Sequence, residues 1–344
     1  MKVPYNDLSR IHKDIDFTTD IQKAIDNNQF INANDFGKDF ASYTRSKYCL
    51  PCANGTDALT IAIMAMNFPE KTRIAVPAIS YAATAMAVVS ANHIPVFIDV
   101  DPNTGLIDLD KLDQEDVDCV IPVHLYGQCV DVSRIKIPFI EDCAQAHSAT
   151  IGDIHVGNFG KCGCFSFYPG KNLGAMGDAG CLITNDIDFY NRCRSIASLG
   201  ASVNNRYLHV VHGINSRMDG FQGLVLQKKL VKLDEWTDDR VKIGKLYDNE
   251  FGINRSSVGK DVYHVYFLKL DNRDDFIKYL NDNDIQHNIH YPFPLNKLPC
   301  FNSSDECPNA EKFCNECTSI PLFPGMTNDE VQHVVKIIKS YYNK

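Results

Sequence analysis

The stretch Cys164-Phe-Ser-Phe-Tyr-Pro-Gly-Lys171-Asn-Leu-Gly174 places a lysine directly after a short apolar strand, inside a glycine-containing turn. Upstream, Glu141-Asp142 closes another strand. Neither residue is informative alone, because most lysines are solvated and an acid after a strand often caps the next helix. Together they are informative, because the site of an α/β protein lies beyond the carboxyl ends of its parallel strands.

The first 200 or so residues alternate short β-rich runs with helical stretches. The predicted strands are Arg73 to Val76, Pro95 to Val100, Asp118 to Val123, Ile137 to Glu141, Cys164 to Tyr168 and Gly180 to Thr184. Continuous apolar strands separated by helices indicate a mostly parallel sheet that is covered on both faces. We therefore predict an α/β fold.

The remainder of the chain has a different pattern. From Asp219 to about Phe251 the sequence predicts one long helix without proline, which we interpret as a link between two domains. Beyond it, the predicted elements are a strand at Tyr263 to Leu270, a helix at Arg273 to Asn283, a strand at Ile285 to His290 and a helix at Asn328 to Tyr342. We expect a large α/β domain at 1–225, and the linking helix with a smaller α+β domain at 226–344.

Composition excludes several classes of protein. The 344 residues are 44% hydrophobic and 22% charged, with 34 basic against 43 acidic side chains and a net charge of −9. Because no basic run could follow a phosphate backbone, nucleic acid is not an expected partner. The N-terminus lacks an apolar signal core and no stretch approaches the roughly 18 apolar residues of a membrane helix, so we expect a cytoplasmic protein without a membrane partner.

Thirteen cysteines raise the question of disulfides and metal sites. Without a secretory signal, we expect reduced and partly buried thiols. The pairs Cys49/Cys52 and Cys314/Cys317 could each form half of a zinc site, but they lie far apart and packing is the preferred interpretation. His287 and His290 would face opposite sides of a regular strand, so no metal is expected there either.

An amine and a carboxylate at one sheet edge match the needs of pyridoxal phosphate. This cofactor is bound covalently by an amine, and a carboxylate across its ring keeps the pyridinium nitrogen protonated. Lys171 and Asp142 are the candidates for these two roles.

Further residues could complete such a site. In Cys52-Ala-Asn-Gly-Thr, Gly55 and Thr56 precede a helix, where free N–H groups can hold a phosphate, although a simple N-cap is the alternative. No Walker lysine follows, which excludes a nucleotide P-loop. Ser166 could add a hydroxyl to this phosphate cup, or be an ordinary strand serine.

Two side chains could contact the cofactor ring. Tyr81, which follows a strand and a proline turn, could stack on a flat heterocycle or simply pack in the core. Gln145, three residues after Asp142, could donate to a ring hydroxyl.

Several motifs together resemble the nucleotide-sugar aminotransferases of the DegT/DnrJ/EryC1/StrS family. Their order and spacing match along nearly the whole chain. They are Asn54-Gly-Thr-Asp-Ala-Leu, Pro122-Val-His-Leu-Tyr-Gly-Gln, Glu141-Asp-Cys-Ala-Gln-Ala-His, Phe165-Ser-Phe-Tyr-Pro-Gly-Lys-Asn-Leu-Gly-Ala, Gly213-Ile-Asn-Ser-Arg-Met-Asp, His290-Tyr-Pro and Ile320-Pro-Leu-Phe-Pro-Gly-Met-Thr.

The resemblance implies the aspartate-aminotransferase fold, fold type I, and a role for each motif residue. It implies that Lys171 binds the cofactor, Asp142 faces the pyridinium, Gln145 lies by the ring and Tyr81 stacks on it. The phosphate would be held by Gly55, Thr56 and Ser166, with Asn215 reaching it from the partner subunit of a homodimer. Substrate contacts would come from Arg217, His290 and Tyr291.

The reaction implied is amino transfer in two halves, in which the cofactor alternates between pyridoxal and pyridoxamine phosphate. Glutamate is the expected donor, and the acceptor a dTDP- or UDP-linked 4-keto-6-deoxyhexose, giving the 4-amino sugar. Amination at C3 is the alternative, since both ketones offer similar size and polarity to one pocket. A cofactor-binding regulator without turnover and a dehydratase or lyase are further hypotheses.

Two positions bear on these hypotheses. Some relatives carry histidine in place of Lys171 and catalyse dehydration, so the lysine favours amino transfer. Asn296 stands where many relatives have histidine, which leaves the sugar contacts of that loop open.

Overall fold

The computed structural model describes residues 1–31, 33–255 and 257–343. Its first elements are α1 (Leu8–His12), α2 (Thr18–Asp26), α3 (Asn34–Thr44), β1 (Tyr48–Cys52), α4 (Gly55–Met66), β2 (Arg73–Pro77), α5 (Ala83–Ser90), β3 (Ile94–Ile98), α6 (Leu109–Leu112), β4 (Cys119–Val120), β5 (Glu141–Asp142), β6 (Thr150–Ile151), β7 (Ile154–His155), β8 (Gly163–Ser166), β9 (Gly180–Thr184) and α7 (Ile187–Ala197). The later elements are β10 (Ala201–Ser202), β11 (Asn205–His209), α8 (Gly220–Leu230), α9 (Leu233–Phe251), β12 (Tyr266–Lys269), α10 (Arg273–Asp282), α11 (Pro308–Glu316), β13 (Cys317–Ile320) and α12 (Asn328–Tyr342).

The central sheet has the strand order β1-β9-β8-β5-β4-β2-β3. Two hydrogen-bonded groups, β1-β9-β8-β5 and β3-β2-β4, meet where Val120 and Val123 form parallel bridges with Phe139 and Asp142. Both neighbours of β9 run antiparallel to it, whereas the other paired strands run parallel to each other. The predicted mostly parallel sheet is confirmed.

Both faces of this sheet are covered, as the continuous apolar strands predicted. Alternate residues of one strand enter different cores: Cys164 packs with residues of α4 and α5, and Phe165 packs with residues of α3 and α8. Every residue of β9 is buried. A strand buried on both faces has no room for polar alternation, which explains its apolar sequence.

The predicted single helix from Asp219 to Phe251 is wrong. The chain forms α8 and α9 instead, separated by Val231 and Lys232. At the junction the N–H of Lys232 donates to the carbonyl of Lys229, a tighter turn than that of an α-helix. None of the described helices is long and apolar enough to cross a bilayer.

The C-terminal part forms its own core around the antiparallel pair β12 and β13. The predicted strand Ile285 to His290 is wrong, since only Ile285 and Asn288 form isolated bridges, with Val3 and Ser319. Val3 is buried within this C-terminal core. The division at residue 225 stays a prediction.

The thirteen cysteines all lie in the described part of the chain and are all free. Twelve are buried and Cys300 is exposed. In the first C-x-x-C pair, Cys52 packs in the core with α4 and Cys49 packs in the core with α3. Packing therefore accounts for this pair.

Candidate active site

Lys171 lies at the tip of a closed loop that follows β8. The loop spans residues 167–175 and is closed by the N–H of Ala175, which donates to the carbonyl of Phe167 at 2.7 Å. Within it, the N–H of Lys171 donates to the carbonyl of Tyr168 at 2.9 Å. A Cβ at Gly174 would lie 2.3 Å from the carbonyl oxygen of Pro169, so only glycine lets the two arms approach this closely.

The Lys171 amine has no hydrogen bond or ion pair with any residue that the structure describes. Burial lowers the pKa of Lys171 to about 8, and the negative charge of Asp142 acts in the opposite direction. A neutral amine is a nucleophile, whereas an ammonium is not. The environment therefore brings the reactive form of Lys171 close to neutral pH.

Asp142 ends β5 and is 4% exposed. Its Oδ2 accepts from the Thr84 hydroxyl at 2.8 Å and its Oδ1 accepts from the N–H of Ala144 at 3.1 Å. Burial raises the pKa of the Asp142 carboxyl, while these two donors and the charge of Lys171 oppose the shift. A cation placed against this carboxylate would favour its ionised form.

Sequence analysis assigned no role to Thr84. Its hydroxyl also lies 2.7 Å from that of Ser80, so the two form a buried chain that leads to Asp142. The available signal was the spacing of four between two hydroxyl residues, at the end of the segment that contains Tyr81. The link to Asp142 spans 58 positions and has no local signature.

Glu141, next to Asp142, is an anchor for β5. Its oxygens accept from three backbone N–H groups, those of Gly157, Phe159 and Gly160. His124 Nε2 lies 3.1 Å from the Glu141 carboxylate, and its Nδ1 accepts from the N–H of Val130. This arrangement holds the end of β5, and with it Asp142, in a fixed position.

Together with Cys143, His124 and Glu141 form the one cluster with metal-ligand spacing among the described residues. The Nδ1 of His124 and both oxygens of Glu141 already accept hydrogen bonds, and burial raises the pKa of the Cys143 thiol. A cation would have to displace these bonds, so the cluster is better explained as a structural anchor.

The residues predicted to hold a phosphate lie at and near the start of α4. Asn54 caps this helix by accepting from the N–H of Asp57 at 2.8 Å, which leaves the N–H groups of Gly55 and Thr56 without intrahelical partners. A Cβ at Gly55 would lie 2.7 Å from the Cβ of Ser166. The structure therefore brings Gly55 and Ser166 together, and the helix dipole favours an anion beside them.

Gln145 and Tyr291 are in direct contact. Gln145 Nε2 donates to the Tyr291 hydroxyl at 2.9 Å, and Oε1 accepts from the N–H of Tyr126 at 2.6 Å. Tyr81 is 63% exposed, with its ring centroid 6.3 Å from that of Tyr291. An exposed ring is available to a ligand, and the predicted contacts of Gln145 and Tyr81 with a cofactor ring stay predictions.

His290 is held by Ser319, whose Oγ lies 2.9 Å from Nδ1. Burial and then the charge of Lys171 lower the pKa of His290 to about 4, so this imidazole is neutral at pH 7. The hydroxyl of Tyr126 donates to the carbonyl of His290. His290 therefore precedes the tyrosine that contacts Gln145, and the predicted substrate contacts of His290 and Tyr291 stay predictions.

Asn215 and Arg217 are exposed. The Oγ of Ser216 between them accepts from the N–H of Ala53 at 3.1 Å. This bond connects the segment to the residues that directly precede α4. Among the described residues, neither side chain forms a hydrogen bond or an ion pair with Lys171 or Asp142, so a single chain does not bring these two predicted residues into the cluster.

The assembled residues fit pyridoxal phosphate. Lys171 offers an amine without a partner, Asp142 a buried carboxylate, and Gly55 with Ser166 a cradle that a larger residue would fill. When bound, such a cofactor supplies an electron sink for the breaking of a C–H bond.

Comparisons with known proteins identify the family of the chain. The model of the DegT/DnrJ/EryC1/StrS aminotransferase family matches residues 12–339. The chain is 34% identical to the "Pleiotropic regulatory protein" of Geobacillus stearothermophilus, over 99% of both chains. It is also 34% identical to the "dTDP-3-amino-3,6-dideoxy-alpha-D-galactopyranose transaminase" of Aneurinibacillus thermoaerophilus, over 98% of this chain and 99% of that one.

Among solved structures, DesV of S. venezuelae in complex with a ketimine intermediate is 25% identical, with a TM-score of 0.95 over 100% of this chain and 99% of that one. Fold type I is thereby confirmed. The chain is a pyridoxal-phosphate-dependent aminotransferase and belongs to the DegT/DnrJ/EryC1/StrS aminotransferase family.

Proposed function

We propose that this aminotransferase moves an amino group from glutamate to a keto group of a nucleotide-linked sugar. The observation that carries the proposal is the amine of Lys171, which has no partner among the described residues and interacts electrostatically with the buried carboxylate of Asp142. Lysine at this position supports amino transfer over dehydration.

Each residue has a proposed role. Lys171 binds the cofactor and, once released, moves a proton at the substrate carbon, because its neutral form is favoured by burial. Asp142 holds the positive charge of the cofactor ring nitrogen. The phosphate would be held by Gly55, Thr56 and Ser166, and the ring would be contacted by Tyr81 and Gln145.

The acceptor preferred on sequence grounds is a dTDP- or UDP-linked 4-keto-6-deoxyhexose. Amination at C3 has a specific observation in its favour, since the name of the Aneurinibacillus thermoaerophilus relative specifies a 3-amino sugar. We retain both positions as candidates. Substrate contacts are assigned to Arg217, His290 and Tyr291 in either case.

The test is incubation of the purified protein with glutamate and a panel of dTDP- and UDP-linked 3-keto and 4-keto sugars, followed by mass spectrometry and NMR. We expect one amino sugar, whose NMR spectrum gives the position and configuration of the amine. Rapid transamination of free amino acids and 2-oxo acids without any nucleotide sugar would overturn the sugar acceptor. Lys171→Ala is the negative control.

A regulator that binds the cofactor without turnover is the second candidate, favoured by the name of the Geobacillus stearothermophilus relative. The two functions differ in their response to glutamate. An aminotransferase converts its bound cofactor when glutamate is added, and the absorbance of the protein changes within a single turnover. Unchanged absorbance in a protein that is loaded with cofactor would support the regulator.

We also propose that the active unit is a homodimer with shared sites. Exposed apolar side chains are frequent in and around the β10 and β11 hairpin, close in sequence to Asn215, and exposed apolar surface is typical of an interface. They are Leu199, Val203, Tyr207, Leu208, Val210 and Val211. Asn215 would then complete the phosphate cup of the partner.

Subunit exchange tests this assignment. An inactive Lys171→Ala subunit is mixed with an inactive Asn215→Asp subunit, in which the new carboxylate repels the phosphate. If the sites are shared, each heterodimer has one site with both changes and one with neither, so activity returns. No recovery in verified heterodimers would mean that Asn215 acts within its own subunit, as the Ser216 contact to Ala53 would allow.

A further inference from the structure

A buried lysine lies next to the loop that carries Lys171. Lys229, in the last turn of α8, is 2% exposed. Its ammonium donates to the carbonyl of Gly174 and lies 3.0 Å from Nε2 of His12. The ring of Trp236 lies beneath it, with Nζ 5.8 Å from the ring centroid.

No carboxylate of the described residues lies within ion-pair distance of Lys229. Burying an ammonium without a neighbouring carboxylate costs free energy. It is tolerated only where other groups accept its hydrogen bonds or stabilise its charge. Here the Gly174 carbonyl, the His12 imidazole and the face of Trp236 do so.

The first partner of Lys229, the carbonyl of Gly174, lies at the base of the loop that carries Lys171. Gly174 is three residues after Lys171, and a Cβ added to it would lie 2.3 Å from the carbonyl oxygen of Pro169 in the opposite arm of the loop. The carbonyl that Lys229 binds therefore belongs to the base of the loop, where the two arms touch. A bond made there limits the rotation of the whole loop, including the tip.

Its second partner connects the loop to the C-terminal core. His12 ends α1, and two residues earlier Arg10 makes a two-pronged salt bridge with Glu330 of α12, at 2.7 and 2.9 Å. Lys229 thus connects two parts of the protein. One is the loop that carries Lys171, and the other is α1, which is bound to α12 through Arg10 and Glu330.

We propose that Lys229 is a positioning residue for Lys171, whose ammonium, bound to the Gly174 carbonyl, fixes the loop 167–175 and so sets where the Lys171 amine lies. The proposal rests on the proposed role of Lys171 as the amine that binds the cofactor. Lys229 itself does not touch the cofactor.

The neighbouring lysine supplies a matched control. Lys228 precedes Lys229 on α8 but is exposed and pairs with Asp20 at 2.6 Å. Lys228→Met removes the same charge from the same turn without reaching the loop. Tyr247→Phe is a second control, since it deletes one buried hydrogen bond, 3.1 Å to the Pro321 carbonyl, far from the loop.

The test measures four quantities in Lys229→Met and in both controls. Hydrogen exchange of the peptide that contains residues 167–175 is followed in cofactor-free protein. The absorbance of the cofactor-loaded enzyme is recorded from pH 6 to pH 10, and kcat and KM for glutamate are determined. Thermal unfolding establishes that each variant is folded.

For Lys229→Met we expect loop exchange about tenfold or more faster, as the loss of one hydrogen bond to a charged group implies. We also expect a shifted midpoint of the absorbance titration and a kcat about tenfold lower, with KM for glutamate within about twofold. Lys228→Met should match the wild type, and Tyr247→Phe should unfold at lower temperature with unchanged loop exchange and absorbance.

A folded Lys229→Met with unchanged loop exchange and absorbance would overturn the proposal, and so would the same changes in Tyr247→Phe. If Lys229→Met does not fold, His12→Leu removes one of the two acceptors and should speed loop exchange in the same direction; unchanged exchange there also overturns it. If the wild type shows no glutamate-dependent absorbance change, the proposed function fails, but loop exchange still decides whether Lys229 holds the loop.

Discussion

The tip and the base of the loop 167–175 each depend on a lysine, and burial lowers the pKa of both to about 8. They differ in their partners. Lys171 at the tip has no hydrogen bond with the described residues, whereas Lys229 at the base meets a carbonyl, an imidazole and an indole. A depressed pKa therefore does not identify the reactive amine; the lack of fixed acceptors does.

The strongest test of this contrast is Lys171→Ala. We expect kcat to fall about 1,000-fold or more, because no second described amine shares the environment of Lys171. Pyridoxamine phosphate should still bind through the cup. Borohydride reduction and peptide mapping of the wild type should find the cofactor on Lys171, and an adduct on Lys229 would reverse the contrast. Lys161→Ala, which removes a surface ion pair with Asp186, is the control.

Asp142→Asn probes the charge that faces the tip. We expect the cofactor to be retained but the half-reaction with glutamate to slow by about 100-fold or more, since a neutral amide does not stabilise a protonated ring. Stopped-flow absorbance measures this rate. Thr84→Val, which removes only a donor to Asp142, should slow it less. Near-wild-type rates in Asp142→Asn would reject the role of the carboxylate.

Gly55→Ala alters the proposed phosphate site of Gly55, Thr56 and Ser166. The added Cβ would lie 2.7 Å from the Cβ of Ser166, so one of the two segments must move. We expect cofactor affinity to fall about tenfold, as phosphate contacts lengthen. Equilibrium titration of the cofactor-free protein measures the Kd. Adding Ser166→Gly should restore room but not the hydroxyl, and an unchanged Kd in Gly55→Ala would show that the phosphate binds elsewhere.

The smallest expected effect is a pH dependence of the unfolding free energy that is caused by Lys229, at the base of the loop. Between pH 8 and about 10.5 an unfolded lysine keeps its proton, whereas the buried Lys229, with a pKa of about 8, releases it. The unfolding free energy of cofactor-free wild type, relative to Lys229→Met, should therefore rise with pH across this window, by at most about 1.4 kcal/mol per pH unit.

Urea unfolding at pH 8, 9 and 10 measures this difference. Both proteins share the buried thiols and tyrosines, which titrate in this window in the unfolded chain, so taking the difference between the two proteins cancels their contribution. A flat difference would mean that Lys229 keeps its proton in the folded protein, and the two lysines would then differ in charge as well as in partners.

The sequence predicted local features best. The observed bounds of β9 and α12 match the predicted ones, because apolar runs and helical periodicity are local. The break between α8 and α9 was missed, since neither proline nor glycine marks it. The strand predicted at Ile285 to His290 pairs at only two residues, and pairing depends on distant partners such as Val3.

In the candidate site, too, residues with a local sequence signal were predicted and residues defined by distant contacts were not. Lys171, Asp142, Gly55 and Ser166 were predictable because each lies beside a strand end or a helix start. The hydroxyl of Thr84 and the ammonium of Lys229 were not, since their contacts span 58 positions to Asp142 and 217 positions to His12. The proposed contact of Asn215 with the site of a partner subunit depends on a second chain, which one sequence does not specify.

Because twelve of the thirteen cysteines are buried, the reactivity of their thiols reports local unfolding of the protein. In the native protein a thiol reagent should modify Cys300 at once and the others only when a core element detaches. Because the buried thiols are distributed over the cores on both faces of the sheet, mapping which of them is modified first would show which layer separates first. The wild-type chain thus carries its own set of chemical probes, without any engineered label.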